Sequence, residues 1–174
     1  MIIDSKIIKA IILAAAKKDI RYYLNGVLIN ARHIVATDGA RMHTYKHGQQ
    51  WEHGDIIIPI DKVELALKMK TKQVKIEKDS INGIPFGTID GKFPDYSRVI
   101  PQNPKTTEGE IMASINPEFL LDACKAVKLV TGAKGYPVLA NTGSNVWVWS
   151  SEQFVVVVMG VNEKVNPPSL ETFR

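Results

Sequence analysis

One pattern occurs three times along this chain and restricts the folds open to it: a leading apolar run, an amphipathic helix, then several short strands. The copies start near Met1, Asp55 and Glu110, and they share hydrophobic pattern with almost no identity. In the first, Asp4 or Ser5 can cap a helix reaching about Lys18, with Ile7, Ile8, Ile11, Ile12 and Ala15 at helical spacing. RYYLNGVLIN and HIVATDGARMHTY then read as strands, the second turning tightly at Asp38-Gly39. In the second copy DIIIPI reads as a buried strand and Asp61 as the cap of the helix DKVELALKMK. QVKIEKD and the run toward IPFGTI alternate apolar and polar residues, with Asn82-Gly83 as the turn between them. In the third, EIMASI leads, and Asn116 caps a helix with Pro117 at its first position. Phe119, Leu120, Ala123 and Val127 form its apolar stripe, and VLAN, NVWVWSS and QFVVVVMGV complete the unit. Such repeats imply an α+β fold, with antiparallel sheet on one side and helices on the other.

Between the second and third copies, GKFPDYSRVIPQNPKTTEG has little periodicity and reads as a linker, and NEKVNPPSLETFR reads as a polar, poorly ordered tail. A chain of 174 residues, 45% hydrophobic and 23% charged, can bury a core without staples. The single cysteine, Cys124, excludes an intrachain disulfide and fits a reducing compartment; it is expected as a buried, inert thiol. Asp4, Lys6 and Lys9 interrupt the apolar N-terminus, which argues against a signal peptide or membrane span and for a cytosolic protein.

The net charge of +4 permits a polyanionic partner without requiring one, so the placement of lysines matters more than their number. Lys6, Lys9 and Lys17 fall in a narrow stripe of the first helix, Lys62 and Lys68 on the second, and Lys125 and Lys128 one turn apart on the third. Lysines decorate any solvated helix face, but three basic faces turned to one polyanion would give sequence-independent, salt-sensitive DNA binding. The sequence has no aromatic stacking platform or basic recognition helix that would read bases.

Enzymatic signatures are missing: neither common glycine-rich phosphate loop nor a Ser/His/Asp nucleophile pattern is present, so no catalytic residue and no cofactor is expected. Asp38 reads as a turn aspartate capping its own backbone. His43, His47 and His53 read as a hydrophilic loop rather than a metal site, and no metal is expected. Trp147 and Trp149 share one face of a strand, which suits core or interface.

Three stretches carry more than composition. RYYLNGVL (21–28), VATDGARM (35–42) and GKFPDYSRVIP (91–101) resemble, in order and spacing, the middle domain of the bacterial DNA polymerase III sliding clamp (beta subunit) family. INPEFLLDACKAV and VWVWSSEQFVVVVMGV are similar to the end of that family's last domain. The resemblance implies a DNA-clamp fold, with a clamp-like domain over 1–101, a linker over 102–109, a half domain over 110–161 and a flexible tail over 162–174. The family's rings have twelve units, helices lining the hole and sheets outside. Four chains of three units would restore that number, so a homo-oligomer, and a tetramer in particular, is expected.

The resemblance further implies a partner-peptide groove lined by Leu24, Thr37, Gly39, Arg41, Met42, Pro94, Arg98, Val99, Val155, Val157, Val158 and Met159. Ala40 stands where the family has a histidine, and Val158 and Gly160 where it has a proline and an arginine. The implied function is a DNA-encircling processivity factor that tethers a DNA polymerase or other clamp-binding proteins to double-stranded DNA. The alternative is a non-encircling regulator or decoy that binds a clamp or its partners. In the tail, Leu170 and Phe173 loosely resemble the peptide such partners insert.

Overall fold

The structure, a computed structural model, describes residues 1–100, 115–132, 140–141 and 145–160. The linker, most of the third leading run and the tail lie outside the described residues.

The first unit comprises β1 (Ile2–Asp4), α1 (Ser5–Ile12), β2 (Gly26–Ile29), β3 (His33–Thr37) and β4 (Arg41–Lys46). The second comprises β5 (Ile56–Pro59), α2 (Ile60–Lys68), β6 (Gln73–Lys75), β7 (Ser80–Ile81) and β8 (Ile84–Pro85). The third contributes α3 (Pro117–Thr131), β9 (Ala140–Asn141), β10 (Val146–Ser150) and β11 (Phe154–Met159).

Local chemistry sets most of these bounds. Asp4 caps α1 by accepting from the Lys6 amide, and Asn116 caps α3 by accepting from that of Glu118. Gly132, at φ 62°, closes α3 with its amide on the Lys128 carbonyl. α1 is shorter than expected: it ends at Ile12, and Ala14, Ala15 and Ala16 follow as a buried tight turn that their small side chains allow. Asp61 does not cap α2. Pro59 holds that position, the Ile60 amide finds the Asn25 carbonyl at 3.0 Å, and Asp61 lies in the first turn, where the helix dipole favours it.

RYYLNG is not a strand throughout. Tyr22–Leu24 form a 3-10 turn because the Asn25 side chain bonds both the amide and the carbonyl of Asp19, at 2.8 Å each, and closes a loop. The strand starts at Gly26, where a Cβ would meet the Ile58 carbonyl oxygen at 2.8 Å. Asn82 and Gly83, both at positive φ, turn β7 into β8 as the dipeptide indicated.

Units one and two interlock by exchanging leading strands. β1 pairs with β6 (Ile3↔Val74), and β5 pairs with β2 (Leu28↔Ile57). Among the described residues β5-β2-β3-β4-β11-β10-β9 then form one antiparallel sheet. The all-apolar run Phe154–Met159 is an inner strand: β4 pairs it on one side (Val157↔Met42) and β10 on the other (Val157↔Val148).

Strand alternation sorts β11 between two apolar layers. Phe154, Val156 and Val158 join Ile8, Ile11, Ala123 and Ala126 in the core under the helices. Val157 joins Leu24, Leu28, Val35, Met42 and Phe93 on the opposite face, where the FPDY segment covers the sheet. Each such fully buried aliphatic or aromatic side chain stabilises by about 1.5–3 kcal/mol. Trp147 and Trp149 pack from β10 against the helix-side core. Cys124 is half-buried rather than buried.

The histidines differ from expectation. His43 lies in β4, fully buried, with Nδ1 2.6 Å from the Ala10 carbonyl. His47 is buried as well, its Nε2 3.0 Å from the Asn30 carbonyl. The strand pattern around ARMHTY puts His43 on the same face as the apolar core, which a reading by polarity alone misses.

Candidate groove and basic helix face

The ATDGAR turn between β3 and β4 is held by its own side chains. Thr37 Oγ1 donates to the Arg41 carbonyl at 2.7 Å and accepts from the Gly39 amide at 3.0 Å. Asp38 Oδ1 accepts from the amides of Ala40 and Arg41, at 2.9 Å each, as expected of a turn aspartate. Gly39 sits at φ 91°, and a Cβ there would be 2.7 Å from Arg21 Nη1. Arg21 grips Asp19 through Nε and Nη2, at 3.0 and 2.7 Å, and donates to the Asp38 carbonyl. Those bonds to Arg21 hold the half-buried Asp19 carboxyl down at about 2.

Arg41 reaches the other way. Its guanidinium meets Asp38 at 3.0 Å and Asp122 of α3 at 2.7 Å, and lies 4.5 Å from the centre of the Phe119 ring. Opposite this turn, Asp95 caps the 3-10 turn Tyr96–Val99 and pairs with Arg98 at 2.9 Å. Tyr96 anchors its hydroxyl on Asn30 Nδ2 at 2.9 Å and His33 Nδ1 at 3.0 Å.

These pieces and β11 enclose a cleft of about 210 Å³. The structure brings Leu24, Thr37, Gly39, Arg41, Met42, Pro94, Val99, Val157 and Met159 together around it. Three of the expected residues do not line it. Val158 points to the helix-side core, fully buried, because it alternates with Val157. Val155 shares the cleft's face but lies opposite Thr44, further along β11. Arg98 is exposed and turned to Asp95. Arg21, Tyr23, Asp95 and Tyr96 also line the cleft, as does Ala40, noted in the sequence only as a departure from the family. Each lies within three positions of an expected residue, which is the signal that could have found it.

The lysines divide. Lys6 and Lys9 of α1 and Lys125 and Lys128 of α3 rim one groove between the two helices, floored by Ile12, Leu13 and Leu129. Lys125 is 3.1 Å from Asp122, the carboxylate that also holds Arg41. Lys17 pairs instead with Glu64 at 3.3 Å and Lys62 with Asp61 at 3.5 Å. Lys68, in the last turn of α2, is exposed and does not line that groove. Among the described residues no group of three His, Cys, Asp or Glu could hold a metal, and no helix is long and apolar enough to cross a membrane.

Interlocked strand–helix–strands units, with helices on one face and a cleft on the sheet side, define a DNA-clamp fold. The particular likeness is to the bacterial beta sliding clamp, the beta subunit of DNA polymerase III, of which this chain is a partial-length relative in sequence and fold. It is 32% identical to the beta sliding clamp of Haemophilus influenzae over 160 residues, 80% of this chain and 42% of that one. To the clamp of Escherichia coli K12 it is 32% identical over 116 residues, 57% of this chain and 32% of that one. The crystal structure of the Helicobacter pylori beta clamp bound to a DNA ligase peptide superposes with a TM-score of 0.68 at 16% identity, over 93% of this chain and 66% of that one. The chain thus spans well under half the length of these curated relatives. No protein-family model matches it.

Proposed function

We propose that this chain is a clamp-type scaffold rather than an enzyme. In assembled form it holds double-stranded DNA without reading sequence, and it tethers a DNA polymerase or other replication and repair proteins in the cytoplasm. The observation that carries this reading is the cleft. A rigid, hydrogen-bonded turn, the FPDY segment and β11 converge on an apolar hollow with polar rims, which suits an apolar-aromatic peptide anchor. The four lysines between α1 and α3 supply the surface for phosphates, and Lys17 and Lys62, each partly neutralised by a carboxylate, and the exposed Lys68 add charge outside that groove.

DNA binding measured against salt tests the scaffold. Replacing Lys6 and Lys9 together by Glu is expected to weaken binding and to lower the salt slope by about 2, at roughly 0.9 per lost phosphate contact. An unchanged slope would return these lysines to an ordinary solvated face.

One observation favours a second reading, a decoy or regulator that captures clamp partners without encircling DNA. The cleft is complete within one chain, since β4 and β11 that flank it are paired to each other. Peptide binding with no measurable DNA binding would favour this reading over the first.

A further inference from the structure

We infer that a second copy of this chain docks, about a two-fold axis, on the outer flank of α3 and the adjoining β9 edge.

The chain itself displays how its units pair. In units one and two, the strand that follows each helix takes the leading strand of the other unit: β2 receives β5 and β6 receives β1. β9 is the strand that follows α3, and it ends the sheet with β10 as its only neighbour among the described residues. Unit three does touch unit one, but through other surfaces: β11 lies on β4, and α3 lies on α1. The surface that units one and two use for each other is therefore unfilled in unit three among the described residues.

The helix agrees. Asp122 and Leu129, which meet Arg41 and line the α1 groove, mark the flank of α3 turned to unit one. At 100° per residue, Leu120 and Cys124 fall on the opposite flank. Leu120 is 38% exposed, neighbouring Leu121 is 54% exposed, and Cys124 is half-buried. An exchange of this kind needs a partner with the same strand–helix–strands pattern. A two-fold axis supplies one from a second copy, with each flank meeting its own image. Cys124 is the middle residue of Pro117–Thr131, so two α3 helices crossing antiparallel at their centres bring the two thiols together.

This deepens the scaffold reading by naming a surface for its assembly, and rests on that reading only for the purpose of assembly. Light scattering on the full chain tests it. The expected mass is a multiple of 19.3 kDa that falls with Leu120→Glu and stays with Leu65→Glu, another exposed leucine, on α2. In the unsubstituted chain a flexible bis-maleimide should give one covalent dimer through the single cysteine, and none with Cys124→Ser. This second measurement decides the matter where Leu120→Glu fails to fold. A monomer at tens of micromolar, including one that pairs only with a full-length clamp, overturns the inference. So does a multimer indifferent to Leu120→Glu that yields no cross-linked dimer. A multimer that passes both tests but shows no salt-sensitive DNA binding sinks the scaffold reading and leaves the interface standing.

Discussion

Arg41 and Asp122 meet at 2.7 Å across 81 positions of sequence, and that contact ties the β3–β4 turn of the first unit to the helix of the third. Both side chains are largely shielded, at 13% and 21% exposed. Burial alone would raise the Asp122 pKa, but hydrogen bonds from Arg41 and Lys125 outweigh it and hold the carboxyl below its ordinary value. A carboxyl depressed in the folded state contributes stability above its unfolded pKa and loses it as pH falls through the folded one. Asp122→Ala is expected to cost about 1–3 kcal/mol in urea unfolding at pH 7, because Arg41 keeps Asp38 but loses its second partner. The gap between variant and parent should close as pH falls through the depressed Asp122 pKa, below the ordinary aspartate range.

His43 predicts a different pH window. Burial drives its pKa from 6.5 to about 4, while its Nδ1–H donates to the Ala10 carbonyl and Nε2 meets no partner among the described residues. The unfolded chain therefore binds a proton at a pH where the folded one refuses it. Stability is full above pH 6.5 and falls by about 3 kcal/mol as pH drops toward 4. Thermal unfolding at pH 7 and pH 4.5 measures the drop, and His43→Leu should remove most of it. A parent and variant with parallel pH profiles would show that His43 does not titrate in this way.

Much of this was legible in the sequence. The unit pattern of the first two copies, the Asn116-Pro117 helix start, the Asp38 turn and the Asn82-Gly83 hairpin all follow from short-range rules, and the structure has each of them. What sequence could not give was tertiary. Whether FVVVVM is an edge or an inner strand depends on which element reaches it, and an all-apolar run carries no alternation to say which residues face which layer. That is why Val158 was grouped with Val157 although the two face opposite ways. Likewise Asn25 closes a loop through Asp19, a bond six residues long that propensity does not register.

The cleft predicts where a peptide should lose its hold. Met159 and Val99, both 40% exposed, line it without holding the core together. Met159→Ala is expected to weaken a fluorescent clamp-binding peptide about tenfold, the loss typical of an interface anchor, with Tm almost unchanged. The salt slope of DNA binding should not move, since Met159 lies on the cleft's side of β11 and the lysine groove lies between the helices. Equal peptide affinity in parent and variant would remove the cleft from the binding site.

Tyr96 belongs to that cleft by its ring and to the sheet by its hydroxyl. The hydroxyl accepts from Asn30 Nδ2, which leaves its own proton for His33 Nδ1, so His33 is required neutral with its proton on Nε2. Burial lowers the His33 pKa first of all, and His47, Lys46 and Arg32 lower it further, which keeps the ring in that state at neutral pH. The sign follows as for His43: a depressed histidine gives its full contribution above pH 6.5 and loses it on acidification. Protonation would turn Nδ1 from acceptor to donor, so the hydroxyl would lose the partner for its own proton and the cleft wall one of its two anchoring bonds. Tyr96→Phe keeps the ring and deletes the anchor, at an expected cost of about 1 kcal/mol in stability. Peptide affinity should fall a few-fold, because the ring is then free to leave the position that shapes the cleft. The parent's affinity should also decline on acidification from neutral pH to below the lowered His33 pKa, whereas that of Tyr96→Phe should be flat. Anisotropy titrations at the two pH values separate the cases, and an equal decline in both proteins would place the pH sensitivity elsewhere than at His33 and Tyr96.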